Sequence, residues 1–455
     1  MRSLVGALAL GTLVLAVLAG PAEAANVLRV PADFPTIQAA IDAAAPGDTV
    51  LVSPATYSEN ISFNGKDVTV KSTSGPASTT LDAHGSTGVQ IGPGGTLEGF
   101  TVENGAAFFG AGMAVSGNGS LIRGNIFQNN MQFGGGFGAA IAGNFSSPTI
   151  EENLFRHNSC DAQFISGVVA FVNFSSPVIQ NNVFADNPCR AINMTLPSGS
   201  APVVIDNTIV RNAAGVRVDG RIPSADQVYR NNVIVANDVG LVVDFGNPPT
   251  WDHNLVYGNG TNYGGIADQT GLNGNISADP LFVNSVAGDF HLQAGSPAID
   301  AGSNALAPLG DFDGVTRPQD GNGDGVAVFD IGAFEFVNPV LQVSIDIKPG
   351  ETPNPIQPAS NGTIPVGIVS TTKFSAASQV DTTSLKFGHS GNEASLASCS
   401  PPQDLNRDGL PDLLCRFYTQ KTGFQTGDTQ GTLTGKTVSG TSIKGIDSIA
   451  VVPPN

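Results

Sequence analysis

A six-residue phrase recurs six times between positions 125 and 259: Asn125-Ile-Phe-Gln-Asn-Asn130, Asn153-Leu-Phe-Arg-His-Asn158, Asn182-Val-Phe-Ala-Asp-Asn187, Asn207-Thr-Ile-Val-Arg-Asn212, Asn232-Val-Ile-Val-Ala-Asn237 and Asn254-Leu-Val-Tyr-Gly-Asn259. Successive copies start 28, 29, 25, 25 and 22 residues apart. A unit of that size cannot bury a core alone, so the copies must stack on one another. Each copy has a large apolar residue two after its first Asn (Phe127, Phe155, Phe184, Ile209, Ile234, Val256) and another three before it (Ile122, Ile150, Ile179, Val204, Tyr229, Trp251). Those positions are five apart, so strict strand alternation would send them to opposite sides. A bend near the first Asn brings both inward. Asn tolerates the left-handed conformation and bonds to its own backbone, which suits such a corner. Stacked asparagines can also pair their amides along the column. The expected ladders are Asn125, Asn153, Asn182, Asn207, Asn232 and Asn254, and beside them Asn130, Asn158, Asn187, Asn212, Asn237 and Asn259.

Between the phrases lie second strands, aligned on their leading residues: 138–142, 167–171, 190–194, 215–219 and 240–244. The string Asn-Phe-Ser-Ser-Pro occurs at Asn144 and again at Asn173. Eight or nine rungs at roughly 4.8 Å make a rod on the order of 40 Å long. This pattern resembles the right-handed parallel β-helix of the pectin-lyase-like proteins, over about residues 27–336. The resemblance implies an all-β fold and leaves function open, because that fold carries lyases, hydrolases, epimerases, adhesins and passive spacers. Residues 35–45 read as a short amphipathic helix: Pro35 suits its first turn, Ile37 and Ile41 share a face, and Pro46-Gly47 stops it. In the resembled fold such a helix plugs the open end of the coil, and strands at 49–53 and 67–71 follow it.

Residues 1–24 read as a signal peptide, with Arg2, an apolar run over 4–18 and the small-residue site Ala22-Glu23-Ala24. The run is shorter than the roughly 20 residues of a membrane span. The expectation is a secreted, extracellular, monomeric protein without a membrane span in the mature chain. A net charge of -18 argues against a nucleic-acid partner. It also repels polyuronates unless calcium bridges the two carboxylate sets.

Four cysteines in an exported chain invite disulfides. Cys160 and Cys189 are 29 apart, the same step as Asn153 to Asn182, so they share a column on neighbouring rungs. A bridge is expected there, the alternative being two buried thiols stacked in the wall. Cys399 and Cys415 form a local pair.

From Asp279 the pattern changes, and Asp279-Pro-Leu-Phe, Gly288-Asp-Phe-His-Leu, Asp311-Phe-Asp-Gly and Asp330-Ile-Gly-Ala-Phe-Glu335 resemble the terminal region of secreted bacterial β-helix proteins. This region reads as a closing cap ending near residue 336, with His291 a structural member of it. Residues 337–343 read as a linker, and 344–455 as a small antiparallel β-sandwich of short strands, similar to a C-terminal module of secreted bacterial proteins. The string Gly431-Thr-Leu-Thr-Gly435-Lys-Thr437 is one residue too short for a phosphate loop and reads as a hairpin turn.

The strongest chemical motif is Asp404-Leu-Asn406-Arg-Asp408-Gly409-Leu410-Pro-Asp412. Oxygen ligands at alternate positions, with a Gly for the turn, match the first half of a calcium loop. The Leu410 carbonyl would be a further ligand and Asp412 a late one. Cys415 stands where an EF-hand has Glu, so the site would be a structural calcium outside an EF-hand, or a plain acidic turn. Asp320, Asn322 and Asp324, with Asp330 beyond, repeat the spacing. On the coil, Asp219 and Asp244 are 25 apart and should stack on adjacent rungs, where close carboxylates share a proton or bind a cation. Arg217 is two residues before Asp219 on the same face and could meet a sugar acid. The alternative is a solvated outer face neutralised by Arg221. A lyase of this fold often uses Lys or Arg as base, and residues 125–259 contain no Lys. His157 and His253 sit at turns, which favours hydrogen bonding. Phe108, Phe109, Met131, Phe133 and Phe137 could form an exposed apolar platform or fold inward. The expected function is non-catalytic binding of a polysaccharide or cell-surface glycan. The rivals are a polysaccharide lyase or glycoside hydrolase at Asp219 and Asp244, and a spacer or surface-assembly protein.

Overall fold

The computed structural model describes residues 25–161, 166–197, 199–220, 227–246, 249–324 and 326–453. Residues 1–24, where a signal peptide is expected, and Arg221 lie outside the described residues. The chain winds into a parallel β-helix with three faces. Strands from Ile61–Ser62 to Thr261–Gly264 make the first face, strands from Val27–Val30 to Thr250–Asp252 the second, and nine strands from Ala55–Tyr57 to Leu255–Tyr257 the third. The long strands Met113–Arg123 and Ile141–Glu151 run across the first two faces.

Inward residues repeat rung by rung. On the second face they are Leu97, Ile122, Ile150, Ile179, Val204, Tyr229 and Trp251, in direct register and buried. On the third face the rings of Phe127, Phe155 and Phe184 stack with centroids 5.2 and 4.5 Å apart. Such pairs add about 0.5–1.5 kcal/mol each beyond the area they bury.

Two asparagine ladders turn the corners. Asn125 donates both its backbone N–H and its Nδ2 to Asn153 Oδ1, at 3.0 and 3.1 Å. The same double bond repeats through Asn182, Asn207, Asn232 and Asn254, and reaches Asn275. Asn130, Asn158, Asn187, Asn212, Asn237 and Asn259 make the parallel ladder, which ends on Asn262. The expectation that the Asn itself takes the left-handed conformation is corrected. The residue before it does so: Gly124, Glu152, Asn181, Asp206, Asn231 and His253 in one ladder, and Asn129, His157, Asp186, Arg211, Ala236 and Gly258 in the other. The Asn itself keeps a negative φ, and its side chain bonds to the neighbouring rungs.

The alignment of first-face strands on their leading residues also needs correction. Ile141, Val169, Ile192, Val216 and Leu241 are true partners, which shifts two of the four steps by one residue. A one-residue slip exchanges the two faces of a strand, so the buried apolar residues fix the register. Gly143 yields room to the Phe171 ring, whose Cε1 would lie 2.1 Å from a Cβ there.

The strand Val27–Val30 starts the coil and pairs with Thr49–Val52. The helix Ile37–Ala43, capped by Thr36 Oγ1 on the Ala39 N–H, buries Ile37, Ala40 and Ile41 in the coil's core. At the other end, Tyr263 and Ile266 pack against that core.

Residues 279–336 do not close the end of the coil as expected. They lie along its side, where Phe290, Leu292, Ala298, Ile331, Ala333 and Phe334 pack on outward Val183, Ala185, Val210, Val233, Val235 and Leu255 of the third face. Those outward positions are apolar and need cover. On the preceding rungs the same column is polar, with Gln128 bonded to Glu103 and Arg156 to Gln128, and stays half-exposed.

Two four-stranded sheets share a separate core built on Ile347, Val366, Ile368, Phe387, Phe417 and Leu433. The end of the expected linker, Leu341–Gln342, is already an edge strand beside Ser442–Ser448. Gly431 to Thr437 is no hairpin turn: Gln430–Thr437 is a strand paired on both sides. Its alternating Leu433 is fully buried, which a turn would not require.

Candidate functional site

The outer surface of the first face carries the most varied chemistry. Its central outward column reads Ser62, Gln90, Ala114, Ala142, Ala170, Asn193, Arg217 and Val242 in register. The column divides into an accessible part and an enclosed part.

The accessible part is a cavity of about 540 Å3 over the early rungs. Ser62, Gln90, Pro93, Phe109, Ala114, Ser116 and Asn144 are among the residues that line it. None of the residues lining it is titratable. It offers amides, hydroxyls and one aromatic ring. The sequence reading missed Gln90 and Ser116, because these rungs precede the Asn phrases; the alternation in Val89–Ile91 was the available signal. Beside the cavity, strands Ala106–Phe109, Met131–Phe137 and Ser159–Cys160 form a small parallel sheet of their own. Phe108, Met131 and Phe133 are exposed on it, while Phe109 and Phe137 are half-buried and meet edge to face at 6.3 Å. The platform residues therefore divide between surface and packing.

The enclosed part holds Arg217, Asp219 and Asp244. Arg217 is only 3 % exposed, and Asp219 6 %. The Arg217 guanidinium donates from Nε to Asp244 Oδ2 at 2.6 Å, and from Nη1 to Asn193 Oδ1 at 2.9 Å and Thr195 Oγ1 at 3.0 Å. Asp219 and Asp244 occupy adjacent strands, Ala214–Gly220 and Val239–Gly246, next to a register shift. The cation that could have met a sugar acid is thus paired within the protein. Arg190 lies close by, its pKa lowered by burial first and by Arg217 second. A second hollow of about 360 Å3 beside the Cys160–Cys189 bridge is lined by Asp161, Arg190 and Val242. Both oxygens of Asp161 accept from the Gly135 N–H.

Cys160–Cys189 and Cys399–Cys415 are both disulfides, with Cα atoms 5.7 and 4.0 Å apart. The first ties neighbouring rungs, and the second joins paired strands.

In the 404–412 loop the acidic side chains hold the loop's own backbone. Asp404 accepts from the N–H groups of Arg407, Asp408 and Gly409, Asn406 from Asp408, and Asp408 from Leu410. Asp412 is buried, with Oδ1 on the Ser370 N–H and Oδ2 on the Leu405 N–H. Asp320 and Asn322 similarly accept from the Asp324 N–H, and Asp330 holds the N–H groups of Asp300 and Phe336. Burial, then Glu335, pushes Asp330 up to about 8. Among the described residues no group of three or more His, Cys, Asp or Glu side chains is placed to hold a metal ion.

The histidines stay away from the cavity. His157 and His253 are left-handed corner residues, and the His253 ring contacts Asp252. His291 sits between Asp289 and Asp313, at 2.6 and 2.7 Å. Burial lowers its pKa, but these two carboxylates outweigh it and the net shift is upward.

The family model described as right handed beta helix region matches residues 58–221 and 139–278. No curated protein matches the chain. Among solved structures it is similar to the pectin methylesterase of Aspergillus niger, with 13% identity over 57% of this chain and 84% of that one, at a TM-score of 0.30. It is also similar to the alginate lyase of Paenibacillus sp., with 11% identity over 51% of this chain and 87% of that one, at a TM-score of 0.25.

Proposed function

We propose that this chain, a right-handed parallel β-helix of the pectin-lyase-like fold followed by small antiparallel sheets, is an exported monomer that binds a polysaccharide or cell-surface glycan without strong catalysis. One observation carries the reading. The accessible cavity on the first face is lined entirely by uncharged side chains, while Arg217, beside Asp219, is enclosed and paired with Asp244. Glycoside hydrolysis or elimination needs an acid and a base within hydrogen-bond reach of the sugar, and the cavity supplies neither. Its amides and hydroxyls suit sugar hydroxyl groups. Export is supported by the two disulfides, which persist in oxidising compartments, and by the leader-like residues 1–24. Among the described residues no helix is long and apolar enough to cross a membrane.

Structural calcium at Asp404, Asn406, Asp408 and the Leu410 carbonyl is part of the proposal, supported by the alternating spacing. Carboxylate oxygens that accept one N–H keep a further lone pair.

The test is a screen of the mature protein against neutral and acidic polysaccharides, with and without calcium. Retention, released reducing ends and the ultraviolet absorbance of unsaturated uronides are followed together. Retention without product is expected. Product that disappears in Asp219→Asn or Asp244→Asn would make the chain an enzyme, and silence on both readouts would make it a spacer.

A further inference from the structure

We infer that the ligand is a neutral, extended polysaccharide lying along the coil axis, and that Phe145 and Phe174 form the rail on which it rests. The inference deepens the glycan-binding reading and depends on it. The repeated string Asn-Phe-Ser-Ser-Pro places identical side chains on consecutive rungs at the border of the first face. Its serines are structural: the Ser146 N–H donates to Ser175 Oγ, the Ser176 N–H to Ser147 Oγ, and Ser175 Oγ to the Val172 carbonyl. Its phenylalanines are not. Phe145 and Phe174 are 58 % and 60 % exposed, and their rings stack on each other with centroids 6.1 Å apart.

Two costs attach to this arrangement. Phe145 occupies the left-handed region at φ 48°, unusual for a bulky residue. Two large rings also face water where they add little to folding. A role outside the fold accounts for both. The rail is continuous with the cavity, because Asn144, next to Phe145, lines the cavity and accepts from Asn173 Nδ2 at 2.5 Å. A chain leaving Gln90 and Ser116 along the axis would meet Asn144 and Phe145 on one rung and Asn173 and Phe174 on the next. Rungs are roughly 4.8 Å apart, and an extended, equatorially linked pyranose chain advances by about that spacing per sugar. Such a chain lays apolar C–H groups against the exposed parts of the ring pair and turns hydroxyls to the amides.

Charge selects against the acidic alternative. No charged side chain lines the cavity, and the whole chain carries -18. A polyuronate would be repelled without gaining an ion pair.

The test measures affinity of the full mature chain for hydroxyethylcellulose, soluble xylan, their oligosaccharides of two and six sugars, and polygalacturonate. The wild type should bind a neutral polymer with no dependence on salt, and the hexamer more tightly than the dimer. The Phe145→Ala/Phe174→Ala variant should lose on the order of ten- to a hundredfold on polymer and hexamer, with dimer binding unchanged. The Phe145→Tyr/Phe174→Tyr variant should bind as the wild type does, which separates ring loss from misfolding. Full binding by the alanine variant would overturn the rail and leave the glycan reading standing, as would an equal loss on dimer and hexamer. Retention on polygalacturonate alone would overturn the neutral assignment. Retention on no polymer would sink both readings.

Discussion

Arg317 Nη1 lies 3.3 Å from Asp206 Oδ1 with both side chains fully enclosed, one on the lateral cover and the other at a corner of the coil. Glu335 Oε2 is also 3.3 Å from Arg317 Nε. These are ion pairs by proximity: Arg317 Nε and both Asp206 oxygens lack an aligned hydrogen bond, although Arg317 Nη2 donates to the Gly332 carbonyl at 2.8 Å. Removing one partner leaves buried charge uncompensated. Arg317→Met is therefore expected to cost about 3–5 kcal/mol. Urea denaturation measures this, and adding Asp206→Asn to that variant should restore part of the loss.

The same pair sets a pH dependence. Burial pushes Asp206 up to about 7 from 3.8, with Arg317 opposing the shift. A folded-state pKa above the unfolded one means that the folded chain binds the extra proton between those values. The stabilisation from Asp206 is thus fully present below pH 3.8 and is lost as the pH rises through about 7. Thermal melts across that window should show a shallower decline with pH in Asp206→Asn than in the wild type. Equal slopes would place the charge elsewhere.

The ladders predict a position-dependent cost. Asn182→Ala removes the oxygen that takes both the backbone N–H and the Nδ2 of Asn153, in a buried corner. Each orphaned buried donor costs about 1–3 kcal/mol. Asn259→Ala sits in a half-buried corner near the end of its ladder, where water can replace the lost oxygen. Chemical denaturation should rank Asn182→Ala as clearly the more damaging.

Calcium should raise the melting temperature of the full chain only at the high concentrations typical of extracellular modules, on the order of 0.1–1 mM. The carboxylates of Asp404, Asp408 and Asp412 already hold backbone N–H groups, which calcium must share with them. The shift should vanish in Asp404→Ala/Asp408→Ala. A chelator-insensitive melt in the presence of added calcium would leave an acidic turn.

Legibility in the sequence followed locality. The ladders and the inward columns repeat inside one short phrase, so spacing alone exposed them. Register on the first face was less legible: leading residues such as Gly138, Gly167 and Arg190 look alike in alignment, but Ile141, Val169 and Ile192 decide which side is buried. The lateral cover is held by contacts far apart in sequence, such as Ala333 N–H on Thr208 Oγ1, and no local pattern encodes them. One trace was present. The last strand position of the phrase changes from Gln128 and Arg156 to Ala185, Val210 and Val235, announcing that something must cover those rungs. The cavity stayed hidden because its lining, Asn144 apart, comes from residues before the phrases begin.

The two ladders make the corner asparagines, and not the residue count, the unit in which this chain measures length. Steps of 22, 25, 28 and 29 residues all close with an Asn nitrogen 2.9–3.1 Å from the next oxygen. Surplus residues are pushed sideways into excursions such as Met131–Phe137. Segments at the border of the first face can therefore be lengthened, trimmed or exchanged between rungs while the frame keeps its pitch, so the outer surface there can diversify independently of the scaffold that bears it.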